Sequence, residues 1–211
     1  AESGWTRVWE GEPVETDEYP PGVNRMGALA QGPDGVIVGV GSTQNDSGEE
    51  VAAVWFSTDG YVWDAAEAAP SVFGSASGRD VTMIDVAYGP SGFVAVGNED
   101  ASEIAVWRSA DGRTWDRVAT ADQPNATTGV LGAVAPINDG WVAAGFGPEF
   151  GAGPVAIWTS PDAKTWNRII TLDTGYAQAL SMIGDRIVLA GGMVEGDDIH
   201  AAIWIAQIGD P

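Results

Sequence analysis

Carboxylates are the reactive groups this chain has in greatest supply. Thirty Asp and Glu stand against nine Lys and Arg, a formal net charge of −21. Oxygen donors sit side by side at Asn45-Asp46, Glu99-Asp100 and Asp197-Asp198, and hard ligands of this kind suit Ca²⁺. Asp46, Asp100, Asp197 and Asp198 are therefore the candidate metal ligands. None has EF-hand spacing, and no other cofactor is expected. Two carboxylates can also divide acid and base roles across a glycosidic bond. Sequence neighbours such as Glu99 and Asp100 are too common in acidic loops to argue for that, and they read first as solvated. His200 is the one histidine, and alone it cannot build a transition-metal site. Cysteine is absent, which removes disulfides and thiolate chemistry. Gly151-Ala152-Gly153 leads into no strand-to-helix transition, so it makes no phosphate loop.

The same charge narrows the partners. So acidic a surface repels phosphate backbones and anionic bilayers, which excludes nucleic acid. No apolar run approaches the ~20 residues of a membrane span. The expected partner is a ligand of unknown identity: a glycan, a cationic group or a protein, further copies of the chain included. Apolar residues make up 45% of the sequence, as in folded chains. The opening AESGWTR has neither the basic head nor the apolar middle of a signal peptide. It reads as the mature end left by a removed leader, so the expected location is secreted or at the cell surface.

Any such site needs elements to hold it, and these are written as a repeat. Trp55, Trp107 and Trp158 lie 52 and 51 residues apart, Trp204 follows, and Trp63, Trp115 and Trp166 keep the same interval. Upstream of each comes ALAQGPDGVIVGVG (28–41), DVAYGPSGFVAVG (85–97), AVAPINDGWVAAG (133–145) or ALSMIGDRIVLAG (179–191). Each unit reads strand, tight turn, strand, variable loop, strand, tight turn, strand. Four short strands per ~50 residues, repeated, predict propeller blades. In the third strand of each unit the Trp face alternates with Val54, Val106, Ile157 or Ile203. Both faces are apolar, so both are expected to be buried between stacked blades.

The turns VWFSTDGYVW, VWRSADGRTW and IWTSPDAKTW join the third and fourth strands. Asp-Gly permits positive φ, and the Asp carboxylate can accept turn amides. Ser57, Ser109 and Ser160 can do the same from the strand end. The set Trp55, Ser57, Asp59, Gly60, Trp63, then Trp107, Ser109, Asp111, Gly112, Trp115, then Trp158, Ser160, Asp162, Trp166 is expected to be scaffold. Trp-x-Ser-x-Asp-Gly-x-x-Trp resembles the Asp-box, or BNR, repeat of sialidases and other secreted propellers. It departs from the usual pattern in having Asp and Gly adjacent, and Ala163 takes the Gly position in the third copy. The resemblance implies a propeller whose boxes lie away from any active site.

Unit four runs through HAAIWIAQI, with Trp204, and has no fourth strand after it. Trp5-Thr6-Arg7-Val8 matches Trp115-Asp116-Arg117-Val118 and Trp166-Asn167-Arg168-Ile169. The expectation is one all-β domain over 1–211, a four-bladed propeller with blades near 25–67, 81–119, 129–171 and 176–208, the alternatives being two chains that share strands in a larger ring or a repetitive sandwich. Residues 4–10, with Trp5, would close the ring by completing the last blade.

Alternating connections then fall on opposite ends of the ring. One end has the short repeated turns, and the other has uneven, acidic loops, where function usually resides. On that end Tyr19, Phe150 and Tyr176 are candidate aromatic contacts. Arg25 and Arg79 stand near the channel mouth, and Glu99, Asp100 and Glu149 complete the candidate ligand site. A sialidase-like site, as the resemblance implies it, needs an arginine cluster, a Tyr activated by Glu and an acid/base Asp. Arg25, Arg79, Tyr19 and Tyr176 stand in suitable loops. A third inner arginine and the FRIP-like motif are missing, so no catalytic residue is assigned. The expected function is a noncatalytic binding module, the alternatives being a glycan-acting hydrolase or a self-assembling subunit.

Overall fold

A computed structural model describes residues 25–100, 103–118, 129–146, 153–196 and 198–207. The first unit comprises β1 (Arg25–Gln31), β2 (Ile37–Gln44), β3 (Glu50–Ser57) and β4 (Asp64–Ala65), antiparallel and in chain order. One helical turn, α1 (Pro70–Phe73), leads to the second unit. That unit is β5 (Val81–Gly89), β6 (Gly92–Glu99), β7 (Glu103–Ser109) and β8 (Asp116–Arg117), again in chain order. β9 (Val130–Ile137), β10 (Gly140–Phe146) and β11 (Pro154–Ser160) follow, then β12 (Asn167–Ile183), β13 (Arg186–Glu195) and β14 (Asp198–Gln207). The protein is all-β, as its repeats predict.

The number of sheets differs from the expectation. β12 pairs with β11 through its first half and with β13 through its second, so units three and four form a single six-stranded sheet. Three sheets result, and among the described residues they do not close into a barrel. The segment TLDTGYA, at the junction between the expected third and fourth blades, is extended. Ile169, Ile170, Thr171 and Thr174 are β-branched and favour extended backbone, and β11 keeps its pairing as far as Pro154 opposite Thr174. Ring closure by residues 4–10 and Trp5 lies outside the described residues.

Every inner strand carries the same irregularity. The register slips at Gly27 in β1, Ile84 in β5, Gly132 in β9 and Gln178 in β12. A bulge leaves one residue unpaired and bends the strand. It also pushes the inner strand's backbone against its neighbour. A Cβ on Gly41, Gly97, Gly145 or Gly191 would collide with the carbonyl oxygen of Arg25, Thr82, Val130 or Tyr176. The glycine ending each VGVG, VAVG, VAAG or VLAG run is thus required by the bulge it faces.

Units pack face to face. Val38, Val40 and Val54 of unit one meet Phe93 and Trp107 of unit two. Ile104 and Val106 meet Leu131, Trp141 and Trp158 of unit three, and Val155 and Ile157 meet Ile187 and Leu189 of unit four. Both faces are buried there, as apolar alternation predicts. Unit four breaks the pattern: Ile203 is 72% and Ile205 66% exposed. The reason is positional, because among the described residues no further unit covers that face.

The first two Ser-x-Asp turns form one structure built twice, and the third keeps the amide bonds to Asp162 but leaves Trp166 Nε1 without a partner among the described residues. In the second, Ser109 Oγ accepts the amides of Asp111 (3.3 Å) and Gly112 (2.8 Å), and Asp111 Oδ1 accepts those of Arg113 and Thr114 (each 2.8 Å). Trp115 Nε1 then donates to Gly112 O at 3.1 Å. The first turn repeats these bonds with Ser57, Asp59, Gly60 and Trp63. Amides of Val62 and Tyr61 lower the Asp59 pKa, and those of Thr165 and Lys164 do so for Asp162. Burial pushes Asp111 upward, but the Thr114 and Arg113 amides prevail and its pKa is lowered.

Gly60 and Gly112 adopt φ of 76° and 78°, and Ala163, in the third turn, adopts 57°. A side chain in this left-handed region costs about 1–2 kcal/mol. Gly60→Ala is expected to cost about that much, since its Cβ would lie 3.9 Å from Ile37 Cδ1. Gly112→Ala should cost a further ~1–3 kcal/mol of overpacking, because its Cβ would lie 2.6 Å from Val38 Cγ2. Urea unfolding of both variants measures the difference; equal costs would refute the contact argument.

Candidate functional site

The four bulges converge. Gly27, Ile84, Gly132 and Gln178 all line one cavity of about 710 Å³ between β1, β5, β9 and the second half of β12. Its volume falls in the roughly 300–1,000 Å³ range of ligand sites. Arg25 pairs with Ser42 in the β1–β2 register and Gln44 with Glu50 in the β2–β3 register, whereas Ile37 pairs with Ser57. The cavity therefore opens at the variable-loop end, and the Ser-x-Asp turns occupy the opposite end.

Two carboxylates face this cavity in unlike surroundings. Glu50 Oε1 takes the Arg25 guanidinium at 2.9 Å, the Ser42 hydroxyl and the Thr82 hydroxyl at 3.3 Å. A cation and two hydroxyls fix its orientation. Asp85 has no cation bound to it among the described residues. Its oxygens accept the amides of Val86 (2.9 Å) and, across the junction between units, Val134 (2.8 Å). Burial raises the Asp85 pKa, and those two amides only partly offset it. Two carboxyls in such unlike surroundings, one buried with its pKa raised and one bound by a guanidinium, can divide acid and base work.

Sequence reasoning overlooked both residues, although one signal was present. In the repeat Asp85 stands where the other copies have Ala28, Ala133 and Ala179. A carboxylate on an inner strand, in a position otherwise Ala, marks the asymmetric part of a symmetric scaffold. Glu50 carries no such mark, since Glu49 beside it is as acidic and turns instead to Asn45.

The predicted site residues are distributed as follows. Arg25 lines the cavity. Tyr176 is half-buried, and its ring meets the cavity-lining Phe146 edge to face at 6.2 Å. Arg79 and Glu99 lie in a separate network. Arg79 binds Glu103 at 2.6 Å and Glu99 at 2.7 Å, and Arg117 binds the other Glu99 oxygen at 2.7 Å. Ser75 Oγ adds a bond to Glu99 at 2.6 Å, which fastens the loop after α1 to unit two. Burial alone would raise the Glu99 pKa, but Ser75 and Arg117 hold it below its ordinary value. Bonding to Glu103 raises the Arg79 pKa.

Asp46, Asp100 and Asp198 are exposed and lie on separate segments. Among the described residues no three acidic or imidazole side chains cluster as a metal site. Tyr19, Glu149, Phe150 and Asp197 lie outside the described residues. No helix in the described residues is long and apolar enough to cross a membrane.

No family model matches the chain, and no curated protein matches it in sequence. Solved structures do match in fold. An α-L-arabinanase from Penicillium chrysogenum, complexed with arabinobiose, superposes with a TM-score of 0.58 at 15% identity, covering 87% of this chain and 62% of that one. A glycosyl hydrolase from Bacteroides ovatus gives 0.51 at 13%, covering 82% and 61%. A Hadza microbial sialidase gives 0.54 at 14%, covering 85% and 36%. The chain thus spans less than two thirds of each of these three. The expectation of a noncatalytic binding module is corrected by these matches, because the structures sharing the fold are glycosidases and favour the glycan-acting alternative. In fold the chain is similar to β-propeller glycosidases.

Proposed function

We propose that the protein is a glycan-acting hydrolase whose site is the cavity between the inner strands. The observation that carries this reading is the convergence of Asp85 and Glu50 on that cavity. Asp85, its pKa raised by burial, is the acid that gives its proton to the leaving glycosidic oxygen as the C–O bond breaks. Glu50, held by Arg25, Ser42 and Thr82, is the base that takes a proton from the water whose oxygen joins the anomeric carbon. Tyr176 flanks the site, and Tyr19, Glu149 and Phe150 are proposed as further contacts from the loops. Polymeric glycans are met outside the cytoplasm, which agrees with a secreted or surface location. Release of reducing ends from a panel of polysaccharides and aryl glycosides tests the reading. No release together with no binding across the panel would overturn it.

The finer architecture belongs to the same proposal: a single propeller domain of four blades, the turns being Asp-box repeats and residues 4–10 completing the fourth blade. Register supports it. Trp107 pairs with Arg117 and Trp158 with Arg168, so Trp204 is matched to Arg7. Deleting residues 1–9 is expected to lower Tm and cause self-association on light scattering, and an unaltered Tm would exclude this closure.

A further inference from the structure

We infer that the cavity takes an uncharged sugar, not a sialic or uronic acid. This rests on reading the cavity as the glycan site. A sugar carboxylate leaving water needs a cation, most effectively a forked guanidinium with donors to spare. The chain has only nine basic residues, and their placement decides the matter.

Arg25 alone among the described basic residues lines the cavity, and its guanidinium is bound to Glu50. Arg79 and Arg117 are committed to Glu99 and Glu103. Arg108 pairs with Asp116, and Arg113 lies over the Phe56 ring, both at the turn end. Lys164 belongs to the third Ser-x-Asp turn, Arg168 to the outer half of β12 and Arg186 to the start of β13. Arg7 is outside the described residues, in the segment matched to the outer strand of a blade.

Among the described residues the cavity offers an anion no uncommitted cation, only the Glu50 carboxylate with its Arg25 partner and the buried carboxyl of Asp85, within a molecule of net charge −21. To hydroxyls it offers Ser42, Thr82, Asn98 and Gln178, hydroxyl and amide groups that both donate and accept. Such a lining matches a neutral polyol and repels a carboxylate.

The test compares the full chain on neutral aryl glycosides (arabinofuranoside, galactoside, mannoside, xyloside) and on acidic ones (sialoside, glucuronide). Direct binding of the parent mono- and oligosaccharides is measured by calorimetry. The expected result is turnover or binding of a neutral sugar, with kcat/KM or affinity at least 100-fold above any acidic one at low salt. Preference for a sialoside or uronide would overturn the inference and leave the glycan-acting reading standing. Neither turnover nor binding in either class would overturn both.

Discussion

Asp85→Asn is expected to lower glycoside turnover by about 10²–10⁴-fold, the usual contribution of a positioned general acid. The amide keeps the size of the carboxyl but has no proton to give. It also has one acceptor oxygen where Asp85 has two, and Asp85 receives amides from both Val86 and Val134. One backbone N–H is left facing an NH₂ group, at a cost of about 1–3 kcal/mol. Rates are therefore to be compared on protein shown to be folded, and Glu50→Gln provides a second arm that leaves those amides untouched. A folded Asp85→Asn protein with the wild-type rate would remove Asp85 from the chemistry.

The pH dependence has a defined sign. Activity should fall on the alkaline side as Asp85, its pKa raised by burial, loses its proton. Stability follows from the same group, since the folded Asp85 pKa lies above the unfolded value. Its contribution is present below the unfolded carboxylate value of about 3.9 and is lost as pH rises through the folded value. Asp85→Asn abolishes that loss, so its stability relative to wild type should improve as pH rises.

Trp107→Ala should be the most damaging substitution for the fold, costing about 3–5 kcal/mol of a total of perhaps 5–15. Trp107 is fully buried between units one and two. Its Nε1 donates to Val72 O at 2.7 Å, and the Arg117 guanidinium lies 5.5 Å above its ring. Truncation opens a cavity, orphans the Val72 carbonyl and loosens the Arg117–Glu99 network beneath α1. Trp204 occupies the same place in unit four but is only half-buried, so Trp204→Ala should cost much less. Denaturant unfolding followed by circular dichroism compares the two, and equal losses would show that burial between units is not what these tryptophans contribute.

Much of this fold was legible because the physics that selects each residue acts at every repeat. Trp, Ser-x-Asp and the strand-ending Gly recur since each solves the same local problem. Elements that connect one unit to another were not legible. Arg79 finds Glu103 and Ser75 finds Glu99 across 24 residues, and no local pattern announces such pairs. TLDTG has the composition of a turn, yet pairing to β11 on one side and β13 on the other keeps it extended. Asp85 was not legible for a different reason. Function was sought in loops that do not repeat, while Asp85 sits within a strand that does, distinguished only by not being Ala.

The bulges have an evolutionary consequence. Ala28 and Ala179 line the cavity at the positions equivalent to Asp85, so the scaffold presents duplicate sockets around one centre. A single codon change in any of them introduces a new functional group there without disturbing the tryptophans and turns that hold the units together. Duplication of a mute repeat thus furnishes vacant addresses, and one letter at one address is enough to set a carboxyl among the spacers.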